Sequence, residues 1–406
     1  MPSKAMPRVG VIRRKAGSGI LARQGGDHRD ARAGIDGSRA VEATTSTKFT
    51  QGGDRMKIQS VYLSLAGIIA YAGFAQVADA QAQYTVTEIG NPNASRTALG
   101  GINNNGEIAG ASDNRPFVWR NGEVIDLSSA IPGNVTPAGI NDLGQITGRY
   151  DGKSLAFLYT DGVVTDLGVV KNSYTSNPYG LNNLGEVVFV ALVFPPNEPG
   201  YYHWSYIYRN GAYEQVPTLG GTYSKAYAIN DAGAVAGDAT LTGDSRAHAI
   251  VYQNGRITDL GTLGGANSTA YDINEAGYAT GRSEIAGSTD FHAFLSYPTA
   301  AGTRMIDLGV LPGAGRQSYG EAINNLNQVV GGSEVNAATH EQVAIIYTDG
   351  TMWNLNKLVH GRDPLRGYVW LYAAHGINDN GWIIASGRDS RTPDLSKVYL
   401  LRPVAQ

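Results

Sequence analysis

The chain has 406 residues, of which 53 are Gly, 23 Tyr and none Cys, and only 17% carry charge. The missing Cys excludes a disulfide framework, a thiolate metal site and a Cys nucleophile. A hydrophobic share of 42% excludes a disordered chain. Doubled Gly with few charges points to many short strands joined by tight turns.

In chain order, residues 1–55 come first, with 11 Lys/Arg against five Asp/Glu and no apolar periodicity. They read as an upstream start or a disordered leader rather than as part of the folded protein. Met56-Lys57 then precedes an uncharged apolar run, Ile58 to Ala78, that ends in Ala78-Asp79-Ala80. A positive start, an apolar stretch and a small-x-small end describe a secretory signal peptide over 56–80, so the protein is expected to be secreted or periplasmic. The alternative is a basic tail on a membrane anchor, since about 20 apolar residues span a bilayer. Removing the 12 Lys/Arg and six Asp/Glu of residues 1–80 leaves 20 against 29, a net charge of −9. A remainder that acidic, with no basic stripe, argues against nucleic acid as a partner. Nor does it hold a second apolar segment long enough to span a membrane.

From residue 81 onward one unit repeats. Gly101-Ile102-Asn103-Asn104-Asn105-Gly106 recurs as Gly139-Ile140-Asn141-Asp142-Leu143-Gly144, and again around Asn182, Asn230, Asn274, Asn324 and Asn378. A second phrase follows each copy, as in Phe117-Val118-Trp119-Arg120-Asn121-Gly122 and Asp126-Leu127. Asn-Gly and Asp-Gly between short apolar runs mark tight hairpins, because these residues tolerate positive φ. Each unit therefore reads as four strands. Seven such units with periods of about 40–50 residues match a seven-bladed β-propeller of four-stranded antiparallel blades, a single all-β domain over 81–406. An open solenoid is the structural alternative. The seventh unit stops after its third strand, Lys397–Leu401, whereas Tyr84–Gly90 resembles a fourth strand placed ahead of the first unit. The strand 84–90 is expected to close the ring and remove both open edges.

Tyr-x-Ile-Asn-x-x-Gly, His292-Ala293-Phe294, His248-Ala249-Ile250, Asn-Gly and Asp259-Leu260-Gly261-Thr262-Leu263-Gly264-Gly265 together resemble the HAF-repeat family of extracellular repeat proteins. The resemblance covers nearly all of residues 81–406 and implies an exported repeat protein, without implying an activity. Arg115, Leu155, Trp204, Val343 and Lys397 stand near the His position in the other five units, so no ring of seven matching His ligands exists.

No elbow nucleophile, Ser-x-x-Lys, zinc His pair or phosphate-binding loop occurs in this part, and nothing in it specifies a cofactor or a metal site. The recurring Asp126, Asp166, Asp259 and Asp307, and the recurring Asn, read as backbone-bonding turn devices. Function is expected where the units differ, and long loops on a rigid scaffold are the usual place. The two longest insertions, Ala191–Ser205 and Lys357–Ala373, emerge on one face, that of the loops between strands two and three and between successive blades. They carry the candidate ligand-binding residues Tyr201, Tyr202, His203 and Trp204, and His360, Arg362, Arg366 and Trp370. Against this, Tyr202, Trp204 and Tyr206 alternate as strand core residues do, and the second segment suits a structural cap. The favoured reading is a non-catalytic binding module for an extracellular glycan or an envelope protein. A polysaccharide hydrolase or lyase with its site at the propeller axis, for which Asp363 and Asp389 are candidate acids, and a structural matrix protein are the alternatives.

Overall fold

Seven separate antiparallel sheets, each of four strands, account for almost all of the regular structure in the computed structural model. It describes residues 82–404 apart from 92–93, 153, 197–199, 301, 314 and 394. The expected signal peptide over 56–80 lies outside these residues. Blades one to six occupy 97–126, 135–166, 177–216, 220–261, 264–309 and 318–354 in chain order. Blade seven is made of Val369–Ile377, Ile383–Asp389, Ser396–Pro403 and, antiparallel to the last, the N-terminal strand Tyr84–Ile89. The ring is thus closed by the strand anticipated from the sequence, one residue shorter than expected. Leu355–Lys357 is a single 3-10 turn, and no helix among the described residues is long and apolar enough to cross a membrane.

Two turn types generate each blade. Between strands three and four, Asn121-Gly122, Asp161-Gly162, Asn210-Gly211, Asn254-Gly255 and Asp349-Gly350 all take positive φ, the requirement of a tight hairpin. Between strands one and two, the Gly of Asn-x-x-Gly lies at φ 71–79°, and in blade six Asn327 takes the same conformation at 60°. The Asp of the Asp-Leu phrase closes a further turn: Asp166, Asp259 and Asp307 accept from the amides of Gly168, Gly261 and Gly309. In the two units that carry the His-Ala phrase, the His reaches this same Asp across the strand pair. His248 Nδ1 lies 3.0 Å from Asp259 and His292 Nδ1 2.9 Å from Asp307.

Apolar side chains fill the spaces between blades. Val188 and Ile207 of blade three pack with Ala226, Val235 and Ile250 of blade four. Across the closure, Ile108, Phe117 and Trp119 of blade one meet Ile384, Val398 and Leu400 of blade seven. The burial of such side chains, worth about 25 cal/mol per Å² of apolar surface, leaves the first strand of every blade facing the common axis.

The seven recurring Asn form a closed ring around that axis. Each donates through Nδ2 to the carbonyl oxygen of the next, from Asn103 to Asn141 and onward through Asn182, Asn230, Asn274, Asn324 and Asn378, at 2.9–3.1 Å. Each Oδ1 accepts the backbone amide four residues on, such as Glu107 or Trp382. The side chain therefore fixes its own turn and its neighbour's together. A second ring of Asn104, Asp142, Asn183, Asp231, Glu275, Asn325 and Asp379 runs beside it, each backbone amide bonded to the next side chain.

Candidate functional site: the axial basin

The first strand of each blade ends at its ring Asn. One residue earlier stands Ile102, Ile140, Leu181, Ile229, Ile273, Ile323 or Ile377. These seven form an apolar belt that separates a cavity of about 160 Å³ at the Asn ring from one of about 590 Å³ on the other side. The larger cavity is lined by residues nearer the start of the first strands, so it opens toward the face of the long loops.

Every first strand carries a register shift three residues before its ring Asn, and the residue there is Gly100, Ala138, Tyr179, Tyr227, Tyr271, Glu321 or His375. All seven line the larger cavity. A bulge leaves its extra residue unpaired and re-aims the side chain, and bulges recur beside active sites. Here one bulge, repeated seven times, presents five different residue types to the axis. Blades one and two contribute almost nothing there, blades three to five a Tyr each, and blades six and seven a carboxyl and an imidazole.

The tyrosines form a connected wall. Tyr179 and Tyr227 have ring centroids 5.5 Å apart, and Tyr227 and Tyr271 5.2 Å apart in an edge-on arrangement. Two residues before the bulge stands Lys225, whose Nζ lies 4.6 Å from the centroids of both Tyr179 and Tyr227. Its partner across the strand pair is Asp238. Asp238 is only 5% exposed, and burial pushes its carboxyl up to about 7 in spite of Lys225 and Arg282 nearby. One blade on, Arg282 stands at the position equivalent to that of Asp238, over Phe291 at 4.6 Å and Tyr271 at 5.9 Å. Burial also raises Glu321, countered by Arg282. The His375 pKa is lowered by its surroundings, and its Nε2 lies 2.8 Å from Ser386 Oγ. Tyr319 completes this side, lying across Gly332, where a side chain would meet its ring at 2.6 Å.

Asp272, beside the bulge of blade five, has a different role. Its two oxygens accept from the backbone amides of Ile273 and Ile323, joining blades five and six, while burial pushes it up to about 7.

The residues singled out from the loops fall into two separate groups. Blade three's third strand begins at Tyr202, so much of that insertion is strand extension. Its side chains alternate: Tyr202 stacks on Trp204 at 5.3 Å, and Trp204 Nε1 donates to the Thr222 carbonyl. Trp204 also packs against the blade core beside Tyr206. On the other side, Tyr201 is 64% exposed, 5.9 Å from His203, which in turn lies 6.2 Å from Tyr223 at the edge of the axial wall. The segment before blade seven latches onto the closing strand. The His360 amide donates to the Tyr84 carbonyl, the Arg362 amide to His360 Nδ1, and the Arg366 amide to the Asp363 carbonyl. Leu355, Leu358 and Val359 pack there with Tyr84 and Val86. The Arg362 and Arg366 side chains stay exposed, as does Trp370, beside Arg388 across its strand pair. Asp363 accepts from the Val86 amide, and Asp389 from the Arg391 guanidinium, so both are engaged in holding backbone or charge.

The axial residues were missed in the sequence because attention went to loops. A signal was present: three positions before each ring Asn, the seven units read Gly, Ala, Tyr, Tyr, Tyr, Glu and His, whereas the residue just before the Asn is Ile or Leu in all seven.

No protein-family model matches the chain, and neither does any curated protein sequence. Among solved structures, it is similar to virginiamycin B lyase from Staphylococcus aureus, at 11% identity and a TM-score of 0.49 over 79% of this chain and 100% of that one. It is also similar to the β-propeller domain of the Trilobed protease from Pyrococcus furiosus, at 12% identity and a TM-score of 0.47 over 76% and 98%. A third is the Pyrococcus horikoshii acylaminoacyl peptidase, at 11% identity and a TM-score of 0.46 over 80% and 53%. These identities give no residue correspondence. The propeller assignment rests on the seven sheets and their closure.

Proposed function

We propose that this protein is an exported binding module of the HAF-repeat kind, and that it holds an extracellular glycan in the axial basin. The observation that carries this reading is the bulge ring. The architectural residues repeat around the axis, while the re-aimed position changes from Gly and Ala to three Tyr, a Glu and a His. A cavity of about 590 Å³ with an apolar floor and aromatic walls has the dimensions and lining of a small-ligand site. Aromatic faces suit the apolar faces of sugar rings, and Tyr201 and His203 extend that surface outward from Tyr223.

The test is calorimetry of the full chain with a panel of oligosaccharides. Tyr227→Ala and Tyr271→Ala should each weaken binding at least tenfold without loss of the folded state, whereas unchanged affinity in both would reject the basin.

A second reading is favoured by one observation: Glu321 and His375 line the cavity from blades six and seven, and Asp238 of blade four stands beside the lining Tyr227. In that reading the module turns over the glycan it binds, Asp238 and Glu321 being the acid and base groups. Product formation from a bound oligosaccharide, lost in Asp238→Asn with binding retained, would establish it.

A further inference from the structure

The cations of the basin say more about the ligand than its size does. Lys225 stands on the first strand of blade four and Arg282 on the second strand of blade five, paired across their strands with Asp238 and Thr269 respectively, so Arg282 takes the place that Asp238 holds one blade earlier. Among the described residues neither takes part in an ion pair, unlike Arg120, Arg209, Arg391 and Lys397. Each rests instead on aromatic rings: Lys225 on Tyr179 and Tyr227, Arg282 on Phe291 and Tyr271. An aromatic face holds a cation in place without neutralising it, so the charge remains available to an incoming anion. On blade two Arg149 stands where Arg282 does on blade five, but there it lies 3.9 Å from Asp151 and donates to Asn177 Oδ1, so it is already engaged. The carboxyl groups that face these cations are Asp238 and Glu321, and burial favours the protonated form of both. Two basic groups therefore stand beside two carboxyl groups whose ionised form burial disfavours, within an acidic protein.

We infer that the ligand is an acidic glycan, a uronate-containing oligosaccharide, with a sugar carboxylate seated between Lys225 and Arg282 and its ring against Tyr227 and Tyr271. This rests on the basin being the binding site. Cations already positioned by ring contacts lose little freedom on pairing with a carboxylate, which favours affinity. A neutral sugar would leave both charges without a counterpart in a partly desolvated wall.

The experiment is calorimetry of the full chain with galacturonate, glucuronate and mannuronate oligomers, alongside the same oligomers with their carboxyl groups reduced to alcohols. At least one acidic series is expected to bind at least tenfold more tightly than its reduced form, and to weaken as salt is raised from 50 mM to 500 mM. Lys225→Met and Arg282→Met should each remove most of that preference while the melting temperature and circular dichroism stay native, and Lys225→Arg should restore part of it. Acetate and inorganic sulfate at equal concentration should not compete, which separates a sugar acid from a simple anion. Equal binding of acidic and reduced oligomers, lost in Tyr227→Ala, overturns the acidic ligand and leaves the basin standing. Competition by acetate or sulfate overturns the sugar. An absence of binding by either series, with every variant folded, removes the basin reading as well.

Discussion

Asn378 donates through Nδ2 to the carbonyl oxygen of Asn103 at 3.0 Å, joining residues 275 positions apart. This bond completes a circle begun at Asn103, and its geometry matches that of the six bonds before it. The same Asn378 also accepts from the amides of Asn380 and Trp382, so one buried side chain holds its own turn and the seam of the ring.

Removing that side chain takes one of two donors from the Asn103 carbonyl and leaves the Asn380 and Trp382 amides without this acceptor. Each such loss costs about 1–3 kcal/mol. Asn378→Ala is therefore expected to lower stability by about 2–4 kcal/mol, read as a drop of several degrees in melting temperature. Asn378→Asp should do no better, because a carboxylate cannot donate to the Asn103 carbonyl. A melt within one degree of wild type in both variants would mean that the ring is not holding the seam.

The closing strand makes a second prediction. Val86 and Tyr84 pack in the core shared by blades six and seven, and the Val86 amide is bonded to the buried Asp363. Deleting residues 82–92 should expose the edge of the strand Ser396–Pro403 and sharply lower the melting temperature. Asp363→Ala should produce a smaller drop of about 1–2 kcal/mol, from the unpaired amide. An unchanged melt of the deletion would show that the pairing is dispensable.

Asp238 gives a prediction in pH. Its folded carboxyl titrates at about 7 against 3.8 for an exposed Asp, so the folded state retains a proton that the unfolded chain releases. For an acid shifted upward, that contribution is fully present below about pH 4, declines as pH rises through the window from 4 to 7, and is gone above it. Asp238→Asn should thus match wild type near pH 4 and exceed it at pH 8, by roughly 2 kcal/mol once water in the basin is allowed for. Denaturant midpoints at the two pH values measure this. A constant difference between variant and wild type across the range would contradict the buried charge.

Glu275 carries the same sign at a more exposed place. Burial first, then its neighbours Asp231 and Asp379, raises its pKa above 4.5 in the folded state. Ionised Glu275 is therefore mildly unfavourable at neutral pH, and the penalty disappears as the group protonates on acidification. Glu275→Gln should raise the melting temperature slightly at pH 7 and leave it unchanged near pH 4. A lower melting temperature at pH 7 would show that the carboxylate is stabilising there.

The fold was legible because its devices are local. Positive-φ turns need Gly, Asn or Asp, and those residues recur at fixed offsets, so units, strands and even the displaced closing strand can be read from the chain. The basin was hidden for a physical reason. In an unbulged strand, the residue three before the Asn shares a face with the belt residue beside the Asn, and its identity looks like ordinary packing variation. The register shift between Ala226 and Ala228 leaves Tyr227 without a cross-strand partner in the cavity lining, and a bulge leaves no mark in the order of residue types. The aromatic run from Tyr201 to Trp204 misled in the opposite direction. It looks like a single patch, but strand alternation sends Trp204 into the blade and leaves Tyr201 outside.

The pairing of Tyr84–Ile89 with Ser396–Pro403 also orders events during synthesis. The strand made first waits for the strand made last, so its hydrogen-bonding edge has no native partner while six complete blades are formed behind it. Neighbouring blades can gather early through short-range contacts, but the circle becomes continuous only once Ser396–Pro403 has emerged. A truncated product, however well its blades are formed, would carry two sticky ends. For this molecule, premature termination is a hazard of assembly as well as a loss of sequence.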